Sequence, residues 1–149
     1  MLIHFRCGWL KPGTTLARGF KAKAAFELFS DYQKRIQGFG PCQVSPLTAL
    51  PINRGTRWLC DRSAGAEILS SEKLAGKLKT LQLSGVKELE IIIGGLDGFT
   101  PREIEDLKPS MRWSFGPLTL PHELAAVVAA EQIYRAFAIL NNLPYHRGH

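Results

Sequence analysis

At 149 residues the chain is long enough to bury a core without disulfides or a structural metal. Its 45% hydrophobic and 21% charged content excludes a disordered or fibrous polypeptide. The net charge of +6 is uneven: residues 1–62 carry ten Lys/Arg against three acids, a surplus of +7, and the remainder nine against ten, or −1. A basic segment joined to a near-neutral one suggests that part of the molecule meets a polyanion.

No apolar run approaches the roughly 18 residues needed to span a bilayer, since Leu124 to Ala130 ends at Glu131. The N-terminus lacks a signal-peptide layout, so a soluble, cytoplasmic protein without membrane partners is expected. Cys7, Cys42 and Cys60 are odd in number and form no CxxC pair, which points to reduced thiols rather than a disulfide framework or zinc site. His4, His122, His146 and His149 are scattered, and no metal site is expected.

In chain order, Leu2 to Cys7 reads as an opening strand closed by Gly8 and the Lys11-Pro12-Gly13 turn. Leu16, Phe20, Ala24, Leu28 and Tyr32 then recur at helical spacing, predicting one long helix that stops near Gly38 and Gly40. Cys42 to Leu47 is a weak strand and Thr56 to Asp61 a better one. Ser70 offers an N-cap for a helix from Ser71 to about Leu83, with Glu72 suited to the dipole and Gly85 ending it. Glu88 to Ile93 is a β-branched strand running into Gly94-Gly95. Thr100-Pro101-Arg102-Glu103 is a capping box with proline at the first helical position. Met111 to Phe115 is a further strand, and Pro121 opens a last helix to about Leu140. Alternating strands and helices predict an α/β domain with a mainly parallel sheet flanked by helices. The last helix is apolar on two sides, through Leu124, Val127, Val128 and Tyr134 and through Ala126, Ala130, Ile133, Phe137 and Leu140. It is expected to lie between two layers, the second being either another subunit or this chain's own core.

Three segments have the composition of a site. The turn from Ile93 to Thr100 joins a buried strand to a capped helix, and glycine there lets backbone approach a ligand; it is neither GxGxxG nor a P-loop. Trp113 to His122 is a loop rich in apolar residues, Gly and Pro, suited either to a buried crossover or to enclosing a flat heterocycle. The tail Asn141 to Arg147 combines Tyr145, His146 and Arg147, which read either as a frayed terminus or as groups that stack on a base and hold phosphate. No GxSxG elbow or HExxH helix is present.

In this order, IIIGGLDGFTP, WSFGPLTLPHELAAVVAAEQIYRAFAILNNLPYHR and, more loosely, CDRSAGAEILSSEKLA and DYQKRI resemble the RlmH family of SPOUT-class methyltransferases, which methylate N3 of a pseudouridine in large-subunit rRNA. The resemblance implies one SPOUT domain over 1–149 with a C-terminal trefoil knot, a homodimer, and S-adenosylmethionine held by the knot. Residues 1–62 would face RNA and 88–149 would supply the cofactor knot and dimer helix. Carried over by position, the cofactor contacts are Cys60 (leucine in most of the family), Gly94, Gly95, Phe115, Gly116, Pro117, Leu118, Thr119 and Leu120. His146 and Arg147 would surround the target base and Tyr145 would stack on it, donated across the dimer. Lys21, Lys23, Lys34, Arg35, Arg54 and Arg57 would contact phosphate in the ribosome. His122, Glu131, Tyr145 and His146 are the candidates for removing the acceptor's proton.

Three departures from the family pattern stand out. Pro46 to Gly55 is too short for the usual helix, so either the sheet is rearranged or Cys42 does not start a strand. Ala126 occupies the place of a frequent arginine. The loop from Asp61 to Ser70 is longer than usual. Two other readings stay open: a SPOUT enzyme acting on tRNA, and a non-catalytic or diverged SPOUT-like RNA-binding protein.

Overall fold

The computed structural model describes residues 1–47, 55–95 and 97–147. Six strands form one parallel sheet: β1 (Leu2–Cys7), β2 (Cys42–Pro46), β3 (Thr56–Cys60), β4 (Glu67–Ile68), β5 (Glu88–Ile93) and β6 (Met111–Ser114), in the order β2-β1-β5-β3-β6-β4. The helices are α1 (Leu16–Gly19), α2 (Lys23–Gln37), α3 (Ser71–Leu83), α4 (Pro101–Leu107) and α5 (His122–Leu140), followed by a 3-10 turn, Pro144–His146. The α/β architecture with a mainly parallel sheet is as expected.

The central strand β5 is buried from Leu89 to Ile93. Ile3, Phe5, Leu89, Ile91 and Ile93 alternate along β1 and β5 and join one core with residues of α2, α3 and α5. Phe5 packs edge-on against Phe29 of α2 at 5.4 Å between ring centroids. The opposite sheet face is more polar, carrying His4, Arg6, Glu88 and Glu90.

Three local predictions need correction. The single long helix is two, because Phe20 is extended (φ −91°, ψ 127°) and α2 begins anew at Lys23. Its buried residues are Phe29 and Ile36, whereas Leu28 is 49% exposed. The loop after Asp61 contributes a sixth strand, β4, whose two exposed residues give no alternation to detect. The weak strand expected from Cys42 is present as β2. β2 lies at an edge of the sheet, with β1 and β5 between it and β3. Most of the connection from β2 to β3, 48–54, lies outside the described residues.

Within the chain, α5 packs between α2 and α3 over β5. Small residues allow this close approach; Ala126, Ala129, Ala130, Ala136 and Ala138 are all fully buried. Ala126, in the place of the frequent arginine, is thus buried in the core. The basic segment 1–62 is not a separate spatial half either, since β5 lies between β1 and β3. Among the described residues no helix is long and apolar enough to cross a membrane, and no group of three His, Cys, Asp or Glu is placed to hold a metal ion.

Candidate functional site

Parallel strands end together, and here the carboxyl ends of β3, β5 and β6 open onto one half-enclosed cavity of about 250 Å³. Open α/β sheets bind ligands at such ends. The walls include Cys60, Gly94, Gly95, Phe115, Gly116, Leu118, Thr119 and Leu120. Eight of the nine cofactor residues read from the sequence thus converge, from three segments far apart in the chain. Pro117 is the ninth and does not line the cavity.

The walls are built by local sequence. The β5 run delivers the chain into Gly94, where an added Cβ would stand 2.9 Å from the Phe99 ring and 3.2 Å from Gly98 Cα. Glycine is required there for the turn to fold back. At Gly95 an added Cβ would meet nothing closer than 3.9 Å, so its missing side chain leaves clearance rather than avoiding a clash. Thr100 caps α4 in a reciprocal box: its Oγ1 accepts the Glu103 amide at 3.1 Å, and Glu103 Oε1 accepts the Thr100 amide at 2.9 Å. On the β6 side, Gly116 has φ +100°, and its amide donates to Ser114 Oγ at 3.1 Å. The rims are tied by Arg62, whose Nη1 donates to Thr119 Oγ1 at 2.6 Å.

The sequence reading missed Asp61, Arg62 and Ala125 as lining residues, and it singled out Asp97, Phe99, Trp113 and His122 only as parts of site segments or, for His122, as a proton acceptor. Asp97 and Phe99 belong to the glycine turn already singled out; Asp61 and Arg62 follow a strand, a position that itself signals them. The His122 ring lies tilted against Trp9 at 4.6 Å between centroids, and both His122 Nδ1 and Trp9 Nε1 are buried without a partner among the described residues. Cys60 also lines the cavity, and burial first, then Cys7 and Asp61, raise its thiol above the usual range, keeping it neutral. Apolar side chains beside carboxylates, a guanidinium and an orphaned imidazole nitrogen suit a flat heterocycle carrying a polar chain.

Tyr145, His146 and Arg147 lie elsewhere. Tyr145 donates to Glu131 Oε1 at 3.0 Å and bonds the Tyr32 hydroxyl at 3.0 Å. Burial first, then these two bonds, push its phenol well above its ordinary value, so it remains protonated at neutral pH. Arg135 Nη1 donates to His146 Nδ1 at 3.0 Å, which leaves the proton on Nε2 for Glu72 Oε1 at 2.7 Å. Arg135 also holds Glu131 through Nε at 2.9 Å and Nη2 at 2.6 Å. The tail is thus docked on α5, α2 and α3, not frayed. Arg135 lies about 20 Å along α5 from His122 on the cavity wall, at 1.5 Å per residue.

The basic residues divide. Lys21, Lys23 and Lys34 are exposed on or beside α2. Arg35 is exposed but engaged, with Nε 3.1 Å from Asp31 and its guanidinium over the Tyr32 and Tyr134 rings. Arg57 is a correction: it is 6% exposed, within the sheet, with Nε 3.4 Å from Glu90 Oε2, and does not present its charge at the surface. Arg54 lies outside the described residues.

A family model described as predicted SPOUT methyltransferase matches residues 52–146. The protein named Ribosomal RNA large subunit methyltransferase H from Stenotrophomonas maltophilia (strain R551-3) is 51% identical over 142 residues, covering 80% of this chain and 87% of the relative. Its namesake from Psychrobacter sp. (strain PRwf-1) is 43% identical over 96 residues, covering 64% of this chain and 56% of the relative. For the Psychrobacter cryohalolentis namesake the figures are 43% over 91 residues, 61% and 53%. Against these two the chain spans about half the relative's length. A solved structure described as a probable methylase family protein from Haemophilus influenzae Rd KW20 matches 99% of this chain and 70% of its own with a TM-score of 0.53 at 10% identity, a likeness of fold.

Proposed function

This chain belongs to the SPOUT methyltransferase family, and from that premise we propose that it methylates large-subunit ribosomal RNA with S-adenosylmethionine, at N3 of a pseudouridine in the assembled ribosome. The observation that carries this reading is the convergence of Cys60, Gly94, Gly95 and the Phe115–Leu120 segment on one cavity. When bound there, S-adenosylmethionine supplies a methyl group on a sulfonium, already a good leaving group. The protein's part is then positioning, bringing donor and acceptor to roughly 3–3.5 Å.

Phe115, Leu118 and Leu120 enclose the heterocycle, Gly95 leaves room for the chain attached to it, and Arg62 and Asp97 stand where charged ends of that chain need partners. The knotted path of this segment is part of the same proposal.

Tyr145, His146 and Arg147 are too far along α5 to reach their own cavity, so a homodimer in which one tail completes the partner's site reconciles the two halves. Tyr145 is then a neutral stacking group and His146 and Arg147 bind around the target base. Lys21, Lys23 and Lys34 supply phosphate contacts, each neutralised phosphate steepening the salt dependence by about 0.7–0.9 in logarithmic slope. Catalysis on the ribosome places the protein in the cytoplasm.

Isothermal titration with S-adenosylmethionine tests the reading. Saturable binding is expected, weakened at least about tenfold in G95A. No binding at millimolar cofactor overturns it in favour of a non-catalytic RNA-binding relative.

A further inference from the structure

We propose that Ser45, His4 and Glu88 form a second reactive site, a nucleophilic serine on the sheet face opposite the helical core. The three residues come from adjacent strands β2, β1 and β5. His4 Nδ1 lies 2.9 Å from Glu88 Oε1, and His4 Nε2 lies 2.6 Å from Ser45 Oγ. A carboxylate only accepts, so Nδ1 carries the imidazole proton and Nε2 turns its lone pair to the serine, whose O–H donates to it. A hydroxyl within reach of a base that is itself oriented by an acid is the arrangement that activates serine for nucleophilic attack.

Two surroundings favour reactivity over a merely structural tie. The His4 side chain is 12% exposed, so its ring is largely shielded from water, while Ser45 is partly exposed on an edge strand. Arg6 is the register partner of Ser45 and so shares its face, and its buried Nε–H donates to nothing among the described residues. That guanidinium carries positive charge on the face where the oxygen of an adduct at Ser45 becomes negative. Glu90, the register partner of His4 on β5, and Arg57 on β3 occupy the same face.

The chemistry that fits is acyl transfer from a small activated ester. Ser45 Oγ bonds to the carbonyl carbon as its proton passes to His4 Nε2. The bond to the leaving alcohol breaks, and that alcohol takes the proton. Water, deprotonated at the same nitrogen, then releases the carboxylic acid and restores the serine.

The test treats the intact protein with a fluorophosphonate probe, which phosphonylates the serine and releases fluoride, and maps the adduct by peptide mass spectrometry. The adduct is expected at Ser45, absent in S45A and formed about 10²–10⁴-fold more slowly in H4Q, the usual contribution of a general base. Both variants should bind S-adenosylmethionine as the parent does, which shows that they fold. No adduct at Ser45, or one formed as fast in H4Q, overturns the proposal and leaves the three residues as a tie between strands.

Discussion

Glu123, at the start of α5, closes the N-terminus of α2: its Oε2 accepts the Lys21 amide at 2.7 Å and its Oε1 the Ala22 amide at 2.9 Å. The N-cap residue of α2, Ala22, supplies no side-chain bond of its own. A carboxylate from another helix thus fills the place of a local cap and fixes where α2 begins relative to the cavity wall at His122. E123A should cost about 1–3 kcal/mol, lowering the melting temperature by about 2–4 °C per kcal/mol. Calorimetry reads this directly; an unchanged transition would mean the capping bonds do not hold α2 in place.

The buried Arg57–Glu90 pair gives a second expectation. Replacing Glu90 alone with leucine leaves the guanidinium without its carboxylate, a loss of about 3–5 kcal/mol. Replacing both residues with leucine should recover most of it, as paired apolar groups need no compensation. Urea unfolding of the two variants checks the contrast.

The breaks between prediction and structure have a common cause. The elements read from local pattern alone, β1, β5, α3, α4 and α5, appear where their apolar periods and caps put them, and most of the cavity residues were those the family resemblance implied. The break at Phe20 was invisible because Leu16, Phe20 and Ala24 keep helical spacing, while the partner that closes α2 is 102 residues from Lys21. Arg57 read as a surface cation because Glu90, which neutralises it, lies 33 residues on. The tail's docking likewise depends on Glu72, Glu131 and Arg135, none of them neighbours in sequence. Long-range polar partners decide all three, and local pattern carries no record of them.

Glycine substitutions separate folding from binding. G94A should destabilise the protein, since its Cβ would press on Phe99 and Gly98; G95A should fold normally and lose cofactor affinity. The proposed dimer adds a sharper test. G95A and H146A should each be nearly inactive, yet a mixture refolded together should regain activity, because a mixed dimer carries one site with both parts intact. A mixture no more active than its components would exclude a tail donated across subunits.

Acid should loosen the tail. The hydrogen bond from His146, then Glu72's own backbone amide, hold the Glu72 carboxyl below its ordinary value of 4.5. A depressed acid stabilises the docked form above that ordinary value and loses its contribution as pH falls through the lowered one. Around the tail, Glu131, Arg135, Tyr32, Arg35 and Tyr145 are the other charged or titratable groups. Amide resonances of Tyr145 to Arg147 should therefore shift toward undocked positions below about pH 4.5, and E72Q should remove that acid-range change. A tail equally docked in both proteins at pH 3 and 7 would contradict the assignment.

Transfer of labelled methyl from S-adenosylmethionine to ribosomes lacking the modification tests the central claim most directly. The account predicts label in large-subunit rRNA, at a single pseudouridine, and none in tRNA. Label in tRNA, or none in rRNA from a protein that binds the cofactor, would contradict it.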